Sequence, residues 1–328
     1  MLKSVLCSMM AWTLLAAGAS VMAEEQLDPQ LPAYRPIDKL EGKIVLVGSE
    51  TMSQVASEWK DRFRQFYPNV EITITIKGAA NALPAVMAGE ANIGMLSYEA
   101  TAEEIAAFTK AKGYAPKLLV PTLERLGVYV HECNPIESLT LAQVDAIFSK
   151  SLKRGEAKEI TTWGELGVTG DLVAKTISLN GREAKTGSQQ FFQSLVLQGG
   201  EFRAGIAVHD DNLPLVKAIQ ANPNAIGFAG EMYQISGLKA VPIAWKSGEA
   251  PYALISLGDE HGSYPLVRPL QFVIDQAPDK ELPAAEREFL KYVFSLSGQE
   301  DVVKAGFHPI SAAPAKTALS AVGLNTLN

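Results

Sequence analysis

Arg182 stands four residues ahead of the turn Thr186-Gly187-Ser188 in the stretch NGREAKTGSQQFF, directly after the apolar run TISL. A guanidinium offers several donors in a fixed fork and keeps its charge at any working pH, which suits a tetrahedral oxyanion. The small-residue turn leads into an amphipathic helix, and a helix start exposes unpaired N–H groups with a partial positive charge. Converging there, these groups would make a half-site for a compact anion. The alternative is an ordinary N-cap beside an arginine that is solvated or paired weakly with Glu183. The earlier stretch GSETM has the same design: Gly48 permits a sharp turn, Ser49 and Thr51 supply hydroxyls, and the N–H groups of the first helical turn point outward. Two such loops, each after a strand, would let two lobes close on one anion from opposite sides.

Other chemistry is sparse. His131, His209, His261 and His308 are scattered, and no HExxH, GxSxG or P-loop lysine pattern occurs. No enzyme activity, metal or cofactor is expected. Trp59, Phe63, Phe66, Phe191 and Phe192 fall at helical spacing and read as core. Cys133, with no His or Cys at ligand spacing, reads as a buried or semi-buried thiol.

The 328 residues allow two lobes, and 47% apolar with 20% charged residues is an ordinary globular mix. Residues 1–23 place Lys3 ahead of an apolar core of roughly 15 residues and end on Val21-Met22-Ala23, the layout of a cleaved export signal. Removing them takes one basic residue, from 29 − 36 = −7 to 28 − 36 = −8, a balance unsuited to nucleic acid. It also removes Cys7, so the mature chain has no disulfide; an export product held by core burial alone points to a bacterial periplasm. Residues 24–40 carry three prolines and read as an irregular leader.

Order then begins with KIVLVG as a strand, a helix through Met52, Val55, Trp59 and Phe63, and VEITITI alternating as a strand. Strands and helices keep alternating through ANIGMLS, ATAEEIAAFTKAKG, RLGVYVH, TLAQVDAIFS, KTISL, SQQFFQSLVLQ and AIGFAG. The fold class is α/β, on largely parallel sheets whose ligands sit beyond the strand carboxyl ends.

The segments GSETMSQVASEW, GEANIGMLS, LTLAQVDAIFSKSLKRGEAKEITTWGEL, GREAKTGSQQFF, NPNAIGFAG, YPLVRPLQFVI and GFHPI, in that order, resemble the periplasmic phosphate-binding proteins of Pst-type ABC importers over about residues 43–311. The resemblance implies a type II periplasmic-binding-protein fold of two lobes, each with a central mostly parallel sheet, joined by two crossovers. Lobe one would span 41–124 and 240–320, lobe two 125–239, with hinges near Leu123–Gly127 and Gly230–Leu238. The implied function is capture of inorganic phosphate by a monomer and delivery to an inner-membrane ABC permease. The family's oxyanion ligands map onto the Ser49 loop, the hydroxyl and N–H of Thr51, the N–H of Met52, Arg182, and Thr186, Gly187 and Ser188.

Two positions depart from the family's best-known site: Ala79 stands for a serine, and Tyr98 for the aspartate that accepts the proton of hydrogen phosphate. Tyr98, Glu50 and Glu183 are the alternative acceptors. The alternatives for function are another tetrahedral oxyanion such as sulfate or arsenate, an exported adhesion or signalling protein, and a phosphatase-like hydrolase.

Overall fold

The computed structural model describes residues 27–254 and 264–324; the expected export signal, Cys7 and His261 lie outside the described residues. β1 (Gly42–Gly48), α1 (Ser53–Phe66), β2 (Val70–Ile76), α2 (Ala82–Met87), β3 (Ile93–Leu96) and α3 (Ala102–Lys112) alternate along the chain. The three strands run parallel in the order β2-β1-β3, with Gly48 opposite Ile76 on one side and Met95 on the other. Ile44 and Leu46 of β1 enter one core with Trp59 and Phe63 of α1, while Val47 enters a second with Leu83, Val86 and Phe108. Alternate side chains therefore bury on both faces, which explains why β1 reads as a continuous apolar run.

β4 (Lys117–His131) is the long strand of the molecule and carries the chain into lobe two. There β5 (Leu139–Thr140), α4 (Leu141–Phe148), β6 (Ser178–Arg182), α5 (Gly187–Leu195), β7 (Ala207–His209), α6 (Asn212–Gln220), β8 (Ala225–Gly230), β9 (Leu238–Ala240) and β10 (Ile243–Ala244) follow. β8, β6 and β7 are parallel neighbours, and stacked Phe192 and Phe228 rings, 3.9 Å apart, lie in their core. The chain returns through β11 (Val267–Ile274) and ends in α7 (Ala284–Val293), α8 (Leu296–Lys304) and α9 (Ala312–Ala321), which pack on lobe one. Among the described residues one sheet runs β2-β1-β3-β11-β4-β8-β6-β7, with β9 on β4. Each lobe is parallel within, and the antiparallel pairs belong to the crossing strands β11 and β4 with their neighbours.

The sequence reading returns the chain to lobe one at residue 240, but the core packing does so later. Val241, Ile243, Leu254, Tyr264 and Leu266 all bury in the lobe-two core, and β10 pairs with β5. The two crossings consequently lie side by side, at Glu124–Leu126 in β4 and Leu266–Arg268, rather than at Gly230–Leu238: Arg268 is the register partner of Glu124, and Leu126 N–H donates to Leu266 O at 2.9 Å. β4 also begins at Lys117, eight residues before the expected strand at Arg125. The leader is irregular as read, yet Leu31 and Leu40 bury in the lobe-one core. Cys133 corrects the expectation of a buried thiol: it is exposed, in the turn after β4. Phe66 is 38% exposed rather than core, its ring lying against Tyr34, Tyr67 and Tyr292 at the surface.

Asn92 joins β1 to α7: its Oδ1 accepts from Val45 N–H at 2.7 Å and its Nδ2 donates to Glu286 Oε1 at 2.7 Å. Burial pushes the Glu286 carboxyl up to about 7, and the Asn92 hydrogen bond only partly offsets this. A raised acid favours the protonated folded state, so its contribution is intact at low pH. It is lost as pH rises from the ordinary glutamate range through about 7. Urea denaturation of Glu286→Gln should therefore show a smaller loss of stability between about pH 5 and 8 than the parent, by at most about 3 kcal/mol.

Candidate oxyanion site

Both sequence-predicted loops line a single cavity of about 660 Å³ between the lobes, a size ordinary for small-molecule sites. Lobe one contributes Ser49, Glu50, Thr51 and Ala79; lobe two contributes Arg182, Thr186, Gly187 and Ser188, with Asp211 and Tyr233 at the edge. Each loop leaves the carboxyl end of a strand, β1 or β6, and enters a helix, α1 or α5.

Gly48 closes β1 with φ +144°, and a Cβ there would lie 2.2 Å from Met95 O, so only glycine fits the close β1–β3 approach. The loop that follows is tied by its own groups. Ser49 N–H donates to Met95 O at 2.9 Å, Ser49 Oγ donates to Ser97 Oγ at 2.7 Å, and Thr51 N–H donates to Ser49 Oγ at 3.1 Å. The expectation that Thr51 N–H faces a ligand is thereby corrected; its hydroxyl is the group presented. Met52 is the N-cap of α1; its side chain is fully buried in the core, and it is not among the residues that line the cavity, unlike Thr51 and Ser53 on either side of it.

On the opposite wall Arg182 ends β6, its side chain 2% exposed. Its Nε donates to His209 O at 3.3 Å and Nη2 to Asp210 O at 2.8 Å, so the end of β7 fixes the fork. Burial pulls this guanidinium down from its ordinary value, while Asp211 and Glu50 act to hold it up. Glu50 Oε2 reaches from lobe one to within 3.7 Å of Arg182 Nη2, and Glu183 pairs instead with Lys185 at 2.8 Å. Arg182 is thus neither solvated nor held by its sequence neighbour.

Thr186 behaves as the N-cap that the simpler reading describes: its Oγ1 donates to Glu183 O at 2.8 Å and accepts from Gln189 N–H at 3.4 Å. The groups left for the cavity on this wall are the Ser188 hydroxyl and the N–H groups of Gly187 and Ser188, which as the first of α5 have no partner inside the helix.

Ala79 opens a short 3-10 turn at the cavity wall and supplies no polar side chain. Tyr98 does not reach the cavity. Its phenol donates to Glu104 Oε1 at 2.6 Å at the start of α3, and burial, ahead of that bond, pushes it well above the usual tyrosine range. His131 Nδ1 accepts from Cys133 N–H, His209 Nε2 meets Asn180 Oδ1 at 3.0 Å, and His308 Nε2 lies 2.5 Å from Glu231 Oε1. No group of three His, Cys, Asp or Glu arranged for a metal occurs among the described residues.

The sequence reading omitted two residues at the seam. Ser97, the last residue of NIGMLS, meets Gly187 across the cleft, and Arg268, inside YPLVRPLQFVI, is wholly buried with Nη1 donating to Ser97 O at 2.8 Å and Nη2 to Ser188 Oγ at 3.1 Å. The signal for Arg268 was a lone cation in an apolar strand run, which has to find an anion or several oxygens.

The PBP superfamily domain profile matches residues 34–297. The chain is 36% identical over 317 residues to the phosphate-binding protein PstS of Pseudomonas aeruginosa, covering 96% of this chain and 98% of that protein. It belongs to the PBP superfamily, in the family of the phosphate-binding proteins. Among solved structures, a phosphate ABC transporter substrate-binding protein from Clostridium perfringens, with bound phosphate, aligns at TM-score 0.65 and 24% identity over 82% of this chain and 100% of that one. An ABC-type phosphate transport receptor from Vibrio cholerae aligns at TM-score 0.65 and 20% identity over the same shares. At these identities the structural likeness speaks for the two-lobe fold.

Gly187 lets the walls of this PBP-superfamily cleft touch. A Cβ there would lie 1.8 Å from Ser97 Oγ, 2.8 Å from Ser97 Cβ and 3.1 Å from Ser97 O, so rotating the serine does not relieve it. Gly187→Ala should hold the lobes apart, giving a larger radius of gyration by small-angle scattering with phosphate present, while the unfolding free energy of the whole protein in urea changes by no more than about 1 kcal/mol, since alanine suits a first helical turn.

Proposed function

We propose that this protein is a periplasmic receptor that captures inorganic phosphate between its lobes and delivers it to an inner-membrane ABC permease. The observation that carries the reading is the meeting, in one cleft, of a buried Arg182 with two strand-to-helix loops that present hydroxyls and helix-start N–H groups. It is supported by the 36% identity to PstS along nearly the whole chain. The proposed ligands are the Thr51 hydroxyl, the Arg182 fork, and the hydroxyl and N–H groups at Gly187 and Ser188, with Ser49 and Thr186 holding the loops in shape.

The mechanism is lobe closure. An anion entering the open form meets one half-site; the second arrives as the lobes rotate about the paired crossings at Glu124 and Arg268. Neutral donors and one guanidinium then replace the water shell at contact distance, where charge-assisted hydrogen bonds are strong. Distant acidic groups are screened beyond about 8–10 Å, so the net charge of −8 (28 − 36) left after removal of residues 1–23 does not oppose binding. The proposal includes export through residues 1–23, a monomeric state and no catalytic step.

With Tyr98 bound to Glu104, discrimination against sulfate passes to Glu50, the carboxylate beside Arg182. A carboxylate accepts the P–OH hydrogen of hydrogen phosphate and repels an anion that has no proton to give. Ala79, which offers no hydroxyl, favours the second reading, a receptor for another tetrahedral oxyanion such as sulfate or arsenate.

Calorimetry decides between them. Arg182→Ala should lower phosphate affinity by about 30-fold or more, the cost of losing one partner of a buried charged contact. Glu50→Gln should narrow the preference for phosphate over sulfate. Tighter sulfate than phosphate binding by the parent would favour the second reading.

A further inference from the structure

Arg268 lies where the two half-sites touch, and four of its five N–H groups have partners among the described residues. Nε donates to Glu124 Oε2 at 2.7 Å and Nη2 pairs with the same oxygen, so Glu124 takes one edge of the fork. Nη1 donates to Ser97 O at 2.8 Å. The remaining hydrogen of Nη2 is shared between Ser188 Oγ at 3.1 Å and Thr51 Oγ1 at 3.5 Å, the outer limit of a hydrogen bond. These are the hydroxyls presented to the cavity by lobe two and lobe one respectively. The Phe191 ring, on the first turns of α5, lies 5.6 Å from the guanidinium carbon.

A hydroxyl that accepts from a guanidinium must turn its own O–H away from the donor. At Thr51 and Ser188 that direction leads away from the buried arginine, whose side chain has no exposure, toward the cavity. We infer that Arg268 is a positioning residue for the anion: it turns the Thr51 and Ser188 hydroxyls into donors aimed at the ligand, and it does so only when the lobes are closed. The arginine itself does not touch the anion, because its side chain is fully buried and does not line the cavity, and Glu124 offsets its charge. That carboxylate is admitted by Gly230, where a Cβ would lie 2.1 Å from Glu124 Oε1. Lysine cannot reproduce the arrangement, since one ammonium lacks the planar fork that reaches Glu124, Ser97 and Ser188 together.

This inference rests on the phosphate reading above, and the test keeps the two apart. Inorganic phosphate is titrated by calorimetry into the parent, Arg268→Lys, Ser188→Ala and the combination of both. Arg268→Gln with Glu124→Gln, which leaves no unpaired buried charge, serves as a second replacement that does not depend on the lysine variant folding. Each Arg268 replacement should weaken phosphate about 10-fold or more, and Ser188→Ala should cost a much smaller factor in those backgrounds than in the parent, because contacting residues in one network are not additive. Equal factors in both backgrounds, or unchanged affinity in both Arg268 replacements, would overturn the inference while leaving the phosphate reading in place. A parent that binds no phosphate would remove both.

Discussion

A guanidinium taken out of water has to recover, from protein oxygens, the hydrogen bonds it gave up, and the interlobe region is organised around two that do so. Arg268 recovers them from Glu124, a backbone carbonyl and two hydroxyls, all at once. Arg182 recovers only part, from the carbonyls of His209 and Asp210, and the rest of its fork looks across the cleft toward Glu50. The first has four of its five N–H groups engaged among the described residues and belongs to the architecture. The second is open, and an incompletely satisfied buried cation facing a cavity is what an anion site requires.

The geometry of the strands follows from that need. Glu124 and Arg268 are register partners in the antiparallel pair formed by β4 and β11, so the strongest electrostatic contact of the crossing is also a cross-strand pair. Burial raises the Glu124 carboxyl, and Arg268 is the largest influence acting the other way. His308 Nε2 and Glu231 Oε1 make a second polar contact nearby, with His308 bonded to the β4 backbone at Leu123. Charged side chains thus collect where the lobes join, between the large aliphatic and aromatic clusters of the two lobes.

Local pattern made much of this legible. Strand, glycine turn and helix at GSETM, and strand, arginine and small-residue turn at NGREAKTGS, are features of a few consecutive residues, and both occur as read. What escaped was non-local. β4 reads as a strand only from Arg125 because Pro121, Glu124 and Arg125 break the apolar run where the strand leaves one core for another. The late return to lobe one escaped because Val241, Ile243 and Leu266 are apolar in either lobe, and their company is fixed by packing alone. Arg268 was visible as a cation in an apolar run, but its partners Glu124, Ser97 and Ser188 are far from it in sequence. Tyr98 carried no sign that its phenol turns to Glu104.

β4 belongs to both lobes: its first half pairs with β11 and its second with β8 and β9. Lobe two is accordingly an insertion into lobe one, with no free end of its own, and neither lobe can shed its share of the strand without unzipping the other's. Heat or denaturant should find one cooperative unit where the eye sees two, and an attempt to express either half alone would leave a sheet with a raw edge.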